Sequence, residues 1–401
     1  MIDTNPRKIM SDSALDKKSL NRLVQIVPIV RGLLAEPTGN PDMPYKPVIL
    51  KSLTSKAAIE FTGSAKNAAT QEYPEPLTKG GRPPLFLNIG EEPSGQFKDA
   101  ISKYSTQHHV KPEIICLREL GILYRDQTEQ NSDLPLANKV ALVTGAAGAI
   151  GYGICCGLLG QGCHLVATDL PGEKLDNFAA DLKQVAGARV MGVAIDVTDE
   201  ASIVQGFEEV ILAWGGLDIM VVNAGIPLVK FLKDIDLDAF RKLEKVNVEG
   251  TLLTLREIAH HFILQDTGGD IIIVSTKNVP SPGAGFGAYS ATKAACHQLG
   301  RIASLELAQY GVRVNMVAPD GVFSEGKYKS GLWAEVGPDR MKARGLDEKG
   351  LQEYYQNRNL LKTKITGRHV ANAVLFFATR QTPTTGVTMP VDGGLPDATP
   401  R

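Results

Sequence analysis

The sequence predicts an α/β protein, a doubly wound parallel sheet preceded by a smaller α/β unit. Three observations predict it. From Lys139 onward, short β-branched apolar runs alternate with helical stretches, the pattern of a parallel sheet covered on both faces. The first of these runs leads directly into a glycine-rich turn, TGAAGAIG over 144–151, and then into the helix-like ICCGLLGQG. Finally, 13 of the 23 prolines fall before Asn138, so the first third has a different texture from the rest.

Size and composition bound the function. A chain of 401 residues holds one large or two modest domains. Hydrophobic content of 43% and charged content of 22% are those of a soluble globular protein. A net charge of −1 gives no electrostatic footprint for nucleic acid or an anionic membrane. The opening MIDTNPRKIMSDSALDKKS has no apolar core of signal-peptide length. No run approaches the roughly 20 apolar residues of a membrane helix. Cys116, Cys155, Cys156, Cys163 and Cys296 make no CxxC pair, which reads as reduced thiols in a cytoplasmic protein.

Taken in order, residues 1–125 read as short elements among loops such as AEPTGNPDMPYKP, YPEPLTKGGRPP and GEEPSG. Leu85 to Ile89 and Glu113 to Leu117 are the candidate strands there. Residues 126–137 form a polar linker, and 138–401 the larger domain. Its strands are VALVT (140–144), HLVATD (164–169), VMGVAID (190–196), DIMVVN (218–223), DIIIVS (270–275) and VRVNMVA (312–318), with VTMPV (387–391) as a seventh. Such runs suit strands buried on both sides. Helical periods lie between them, as in FRKLEKVNVEGTLLTLREIAHHF. A long insertion, near 325–364, interrupts the domain and reads either as a lid over a substrate or as a helical hairpin with a solvated charged face. Trp333, Tyr354, Tyr355, Arg358 and Asn359 are its candidates for substrate contact.

Two constellations carry chemistry. Gly145, Gly148 and Gly151 let the backbone turn sharply and approach a pyrophosphate at a helix N-terminus. Asp169 follows about 20 residues later at a strand end, where a carboxylate accepts from a ribose hydroxyl and repels a 2′-phosphate, favouring NAD over NADP. Downstream, Tyr289 and Lys293 in YSATK share one helical face. A free phenol has a pKa of about 10, and a nearby ammonium is expected to lower it. A phenol so poised exchanges a proton with an alcohol or carbonyl oxygen, while a dinucleotide carries the hydride. His260, His261 and His297 have no partner at metal spacing and read as surface or packing residues, so no metal is expected.

TGAAGAIG, NAG (223–225), YSATK (289–293) and TTGVTMPVDGG resemble, in order, motifs of the short-chain dehydrogenase/reductase family over Asn138 to about Leu395. The resemblance implies a Rossmann-like domain, usually a homodimer or homotetramer, acting on a small alcohol or carbonyl substrate. It implies cofactor contacts from Ala149, Ile150 and Leu170 beside the glycines and Asp169, and from Asp196 and Val197 near the adenine. Asn223, Ala224 and Gly225 would line the adenosine side. Pro319, Gly321, Val322 and Ser324 would hold the nicotinamide end, joined there by Tyr289 and Lys293. Two departures are visible: Ala149 stands where the family commonly has its middle glycine, and Asp320 where it usually has glycine. In the family's catalytic group Tyr289 is the acid/base, Lys293 holds the ribose and Asn247 steadies a water. The substrate-orienting hydroxyl falls at Thr276 by spacing, with Ser275 open as the alternative after a one-residue shift.

STKNV, PDGVFSEG, SGLWAE, QNRNLLK and VDGGLPDATPR look closest to the dehydrogenase half of bifunctional rhamnulose-1-phosphate aldolase/lactaldehyde dehydrogenases. LVQIVPIVRGLLA, PLTKGGRPPLFL and PEIICLRELGILYRD faintly resemble pieces of the aldolase domain. A metal-dependent aldolase needs several histidines around one cation, and before Asn138 only the adjacent His108 and His109 occur. The first third therefore reads as a shortened, structural remnant. A residual aldolase and a non-catalytic nucleotide-binding scaffold are the competing readings to an NAD-dependent oxidoreductase.

Overall fold

A computed structural model describes residues 13–63, 82–88, 93–126, 133–324, 326–328, 330, 333 and 337–396. Ile89, half of the linker (127–132), parts of PLTKGGRPPLFL and parts of the 325–364 insertion lie outside the described residues.

The first third opens on helix α1 (Lys17–Leu34), started by the Asp16 carboxylate, which accepts from the Ser19 N–H at 2.7 Å. Only short elements are expected from the sequence here, yet α1 has 18 residues and runs through Pro28. An interior proline costs about 3 kcal/mol. Against it, Leu23, Ile26, Val27, Val30 and Leu34 are each at most 1% exposed, and each such side chain contributes about 1.5–3 kcal/mol. Burial wins. Strands β1 (Glu36–Pro37) and β2 (Tyr45–Lys46) form a short antiparallel ladder. A mixed four-stranded sheet follows, built from β3 (Leu50–Leu53), β4 (Leu85–Leu87), β5 (Ile114–Leu117) and β6 (Gly121–Arg125) in the order β3-β6-β5-β4, with helices α2 (Lys56–Gly63) and α3 (Pro93–His108).

The larger unit alternates strand and helix. In chain order it holds β7 (Val140–Val143), α4 (Ala149–Gly160), β8 (His164–Asp169), α5 (Glu173–Ala186), β9 (Val190–Ala194), α6 (Glu200–Trp214), β10 (Ile219–Val222) and α7 (Leu237–Glu244). A π-helical turn (Lys245–Glu249) joins α7 to α8 (Gly250–Gln265). Then come β11 (Gly269–Val274), α9 (Gly287–Leu307), β12 (Val312–Pro319), β13 (Val322–Phe323), α10 (Gly337–Arg344), α11 (Glu348–Asn357), β14 (Ile365–Thr366), α12 (Gly367–Ala378) and β15 (Thr388–Val391). Seven strands pair in the order β9-β8-β7-β10-β11-β12-β15, every neighbour parallel. Alternate residues of β7 enter opposite cores: Ala141 and Val143 pack in one, Val140 and Leu142 in the other. The strand order reverses between β7 and β10, which opens a crevice at their carboxyl ends.

The smaller unit docks at the opposite edge of this sheet. Leu23, Val27, Val30 and Leu34 share a core with Phe97, Ile115, Leu123 and with Ile211 and Leu212 of α6. Arg31, 2% exposed, donates to both oxygens of Asp218 (3.1 and 2.6 Å), to Gln265 Oε1 (2.9 Å) and to the Val48 carbonyl (2.8 Å). Asp218 also accepts from the Val140 N–H at 2.7 Å, just ahead of β10. Among the described residues, no helix is long and apolar enough to cross a membrane.

Candidate active site

The crevice at the carboxyl ends of β7 and β10 is the mouth of a cavity of about 1650 Å³. Its floor is the turn between β7 and α4. Gly145 has φ +58, and a Cβ there would lie 2.8 Å from Ala224 Cα; one on Gly151 would lie 2.3 Å from the Ala146 carbonyl oxygen. Only glycine fits at either place. At Gly148, the residue that starts α4, nothing lies within 4 Å of an added Cβ, and no side chain caps the helix. Open space in front of uncapped N–H donors is what a pyrophosphate needs. The residues present fit a dinucleotide.

Asp169 ends β8 beside this turn. Its carboxylate accepts from the N–H groups of Ala147 and Leu170, each at 3.0 Å, and meets the exposed Lys174 at 3.4 Å. Asp196 turns one oxygen onto the Thr198 N–H and hydroxyl (2.9 and 2.8 Å). Asn223 donates to the Thr144 and Gly145 carbonyls, both at 2.9 Å, and so ties β10 to the glycine turn. Gly145, Gly148, Ala149, Ile150, Gly151, Asp169, Leu170, Asp196, Val197, Asn223, Ala224, Gly225, Pro319, Gly321 and Val322 all line the cavity. Ser324 does not: its hydroxyl accepts from the Ser330 N–H at 2.9 Å.

At the other end, Tyr289 and Lys293 project from α9 into the same cavity. The Thr276 hydroxyl accepts from the Asn278 N–H at 3.3 Å and lies near enough to the Tyr289 phenol to favour its ionised form. Ser275 faces elsewhere, with its hydroxyl 3.0 Å from His297 Nδ1, and His297 Nε2 is 3.3 Å from the Thr388 hydroxyl. The two adjacent hydroxyls thus have separate partners, and only that of Thr276 reaches the phenol.

The expected lowering of the Tyr289 pKa is not found. Burial pushes the phenol up to about 12, partly opposed by the Thr276 hydrogen bond. Lys293 directs its ammonium to the Val274 carbonyl at 3.0 Å, and burial lowers its own pKa. Desolvation is the largest influence on both side chains.

Asn247 sits in the π-helical turn, fully buried and off the cavity wall. Its amide accepts from the Ile226 N–H (2.9 Å) and donates to the Ile226 carbonyl and the Thr292 hydroxyl, both at 3.1 Å. Its carbonyl accepts from the Thr251 hydroxyl (2.6 Å) and the Cys296 thiol (2.8 Å). A Cβ on Gly225 would lie 3.1 Å from Asn247 Oδ1 and 3.2 Å from Lys293 Nζ, so both groups lie beside Gly225.

Of the insertion's candidates, Tyr354, Tyr355 and Arg358 line the cavity. Trp333 instead donates its indole N–H to the Val322 carbonyl at 2.9 Å and packs on Phe323 and Tyr355. Asn359 is buried and holds its own turn through the Thr363 N–H and carbonyl. Arg358 is bound to Asp320 through two hydrogen bonds, one of 2.9 Å, so the insertion is latched to the loop after β12. Sequence reasoning missed Lys277, Asn278, Phe286 and Arg340 on the same wall. Lys277 and Asn278 directly follow Thr276, an adjacency that was legible. Arg340 carries no such signal, because its position in the cavity depends on how α10 packs.

Residues 139–333 match the family described as short chain dehydrogenase. A glucose 1-dehydrogenase from Gluconobacter oxydans is 30% identical over 260 residues, 65% of this chain and 92% of that protein. An uncharacterized oxidoreductase from Bacillus subtilis is 34% identical over 267 residues, 66% of this chain but only 38% of that longer relative. L-sorbose reductase from Gluconobacter frateurii, solved with NADPH and L-sorbose, superimposes with a TM-score of 0.59 at 25% identity over 66% of this chain and 98% of its own. The glycine turn, the strand order and the phenol on α9 accord with these likenesses, and the chain belongs to the short chain dehydrogenase family of oxidoreductases.

Proposed function

We propose that the protein is an NAD-dependent oxidoreductase interconverting a secondary alcohol or hydroxy aldehyde and its carbonyl partner. The observation that carries this reading is the Tyr289 phenol, with Thr276 beside it, in one cavity with the glycine turn and Asp169. A bound nicotinamide supplies the carbon that takes up or returns hydride. Tyr289 moves the proton, donating it to a carbonyl oxygen in reduction and, as phenolate, accepting it from a hydroxyl in oxidation. Thr276 holds the same substrate oxygen through its hydroxyl. Lys293 would hold the ribose hydroxyls, and Asn247 fixes Ile226 and Thr292. Asp169 turns a carboxylate toward the ribose and disfavours a 2′-phosphate; the single exposed Lys174 at 3.4 Å offsets little of that charge.

The resemblance to the lactaldehyde dehydrogenase half of the bifunctional enzymes agrees with a small hydroxy aldehyde substrate. The first third, about 1–125, then serves assembly or stability. Leu305 (80% exposed), Leu252 (48%) and Ile302 (41%) on α8 and α9 support a homodimer or homotetramer through those helices.

Replacing Tyr289 by Phe should lower turnover at least about a hundredfold and leave the dissociation constant for NAD within error of wild type. Equal turnover by Y289F ends the mechanism. Parallel assays with NAD and NADP test the Asp169 argument, and a preference for NADP overturns it.

A further inference from the structure

The wall beyond Tyr289 carries more positive charge than proton transfer uses. Arg340, on α10, is 8% exposed and lines the cavity. Its guanidinium lies 4.7 Å over the Phe286 ring, and its Nη2 donates to the Tyr355 hydroxyl at 3.3 Å. Its Nε is buried with no hydrogen-bond partner. Lys277, next to Thr276, donates to the Ser281 carbonyl at 3.2 Å. Among the described residues, neither cation forms an ion pair. Arg358 is the contrast, since its charge is matched by Asp320. Burial lowers the pKa of Lys277, with Arg358 and Arg340 adding to the effect and Asp320 and Asp392 opposing it.

A largely buried guanidinium without an ion-pair partner is costly, and two such cations on a cavity wall point to an anion that enters it. Asn278, 6% exposed, lies on the same wall. The Phe286 ring is 6.0 Å from the Tyr289 ring and 4.7 Å from the Arg340 guanidinium, which caps the separation of guanidinium and phenol ring at about 11 Å. A short carbon chain spans that gap. We propose that the substrate is an anion: a hydroxy or oxo compound whose reacting carbon is joined by a short chain to a carboxylate or phosphate held by Arg340 and Lys277. The planar fork of arginine matches either oxyanion, and lysine adds a point charge. This inference rests on the oxidoreductase reading above and narrows its substrate class.

Two measurements test it on the full chain. Calorimetric titration of inorganic phosphate and of malonate into the protein saturated with NAD reads the anion site with the glycine turn filled. Wild type should bind at least one probe, R340M and K277M should bind it at least about tenfold more weakly, and R340K should recover part of the loss. No binding of either probe by wild type, or R340M binding like wild type, overturns the proposal. Activity assays then compare a neutral polyol with its phosphate ester and with the matching hydroxy acid. A lower KM for one anionic form, raised at least about tenfold by R340M with kcat little changed, identifies the source of the oxyanion. Equal KM for neutral and anionic forms in both proteins also overturns it. Intact anion binding with no turnover of any alcohol would instead sink the oxidoreductase reading and leave the anion site standing.

Discussion

Thr276 and Ser275 are neighbours with the same functional group, and their partners separate them. Thr276 reaches the Tyr289 phenol, whereas Ser275 reaches His297. T276V should therefore lower kcat about a hundredfold, the scale for removing one donor to a reacting oxygen, while S275A should change it little. Steady-state kinetics of the pair decides, and the reverse ranking would return the role to Ser275. Tyr289 makes a second prediction. Its folded pKa is raised to about 12, so in the cofactor-free protein it stays protonated through the neutral range and ionises above free tyrosine. The difference in 295 nm absorbance between wild type and Y289F should show a step above pH 10. A step near pH 8 would mean that Lys293, not burial, governs the phenol. By the same sign, the stability Tyr289 lends the fold is present below pH 10 and is lost as pH climbs toward 12.

At the scale of elements, legibility followed burial. Strands β7 to β12 were readable because both faces of the sheet are covered, which leaves unbroken apolar runs such as 140–143 and 271–274. The glycine turn was readable because its backbone geometry admits no side chain. Helix α1 was not, since Pro28 argues locally for a break and only tertiary burial overrides it. The π-helical turn was also hidden: KVNVE reads as ordinary helix, and what sets it apart is the packing of Asn247 against Ile226 and Thr292. Arg340 had the local look of a solvated helix face. Histidine 261 illustrates the same limit. Its neighbours in sequence suggest only packing, yet it is buried and accepts from the Leu217 N–H at 2.9 Å, which requires an unprotonated Nε2. Burial lowers its pKa from an ordinary 6.5 to about 4. A histidine held neutral in the fold contributes fully above pH 6.5, and its contribution is lost as pH falls toward 4, at about 1.4 kcal/mol per unit. Urea unfolding at pH 7.5 and pH 4.5 should show a smaller drop in stability for H261Q than for wild type. Equal drops would remove His261 from the acid response.

At the scale of the molecule, the sheet has a chemical edge and a structural edge. The cavity opens at the carboxyl ends of β7 and β10, while Arg31 anchors the smaller unit beside Val140 and Asp218, at the opposite ends of the same strands. A second anchor lies alongside: Arg380 donates to both oxygens of Asp270 (3.0 and 2.9 Å) and to the Asp42 carbonyl at 3.1 Å. With Ile211 and Leu212 in the core of α1, and Ile49 in the core beneath the large sheet, the two units share two of their hydrophobic cores. We propose that they unfold together. R31M tests this, because it strips the buried Asp218 of its counter-charge and leaves it the Val140 N–H. Breaking a buried pair by deleting one partner costs about 3–5 kcal/mol. Denaturation of R31M should show that loss in one transition, seen equally by far-UV circular dichroism and tryptophan fluorescence. Its affinity for NAD should stay at the wild-type value, since the substitution lies at the far edge of the sheet from the glycine turn. Two resolved transitions would mean that the units are independent, and a weakened affinity for NAD would mean that the structural edge reports to the chemical one.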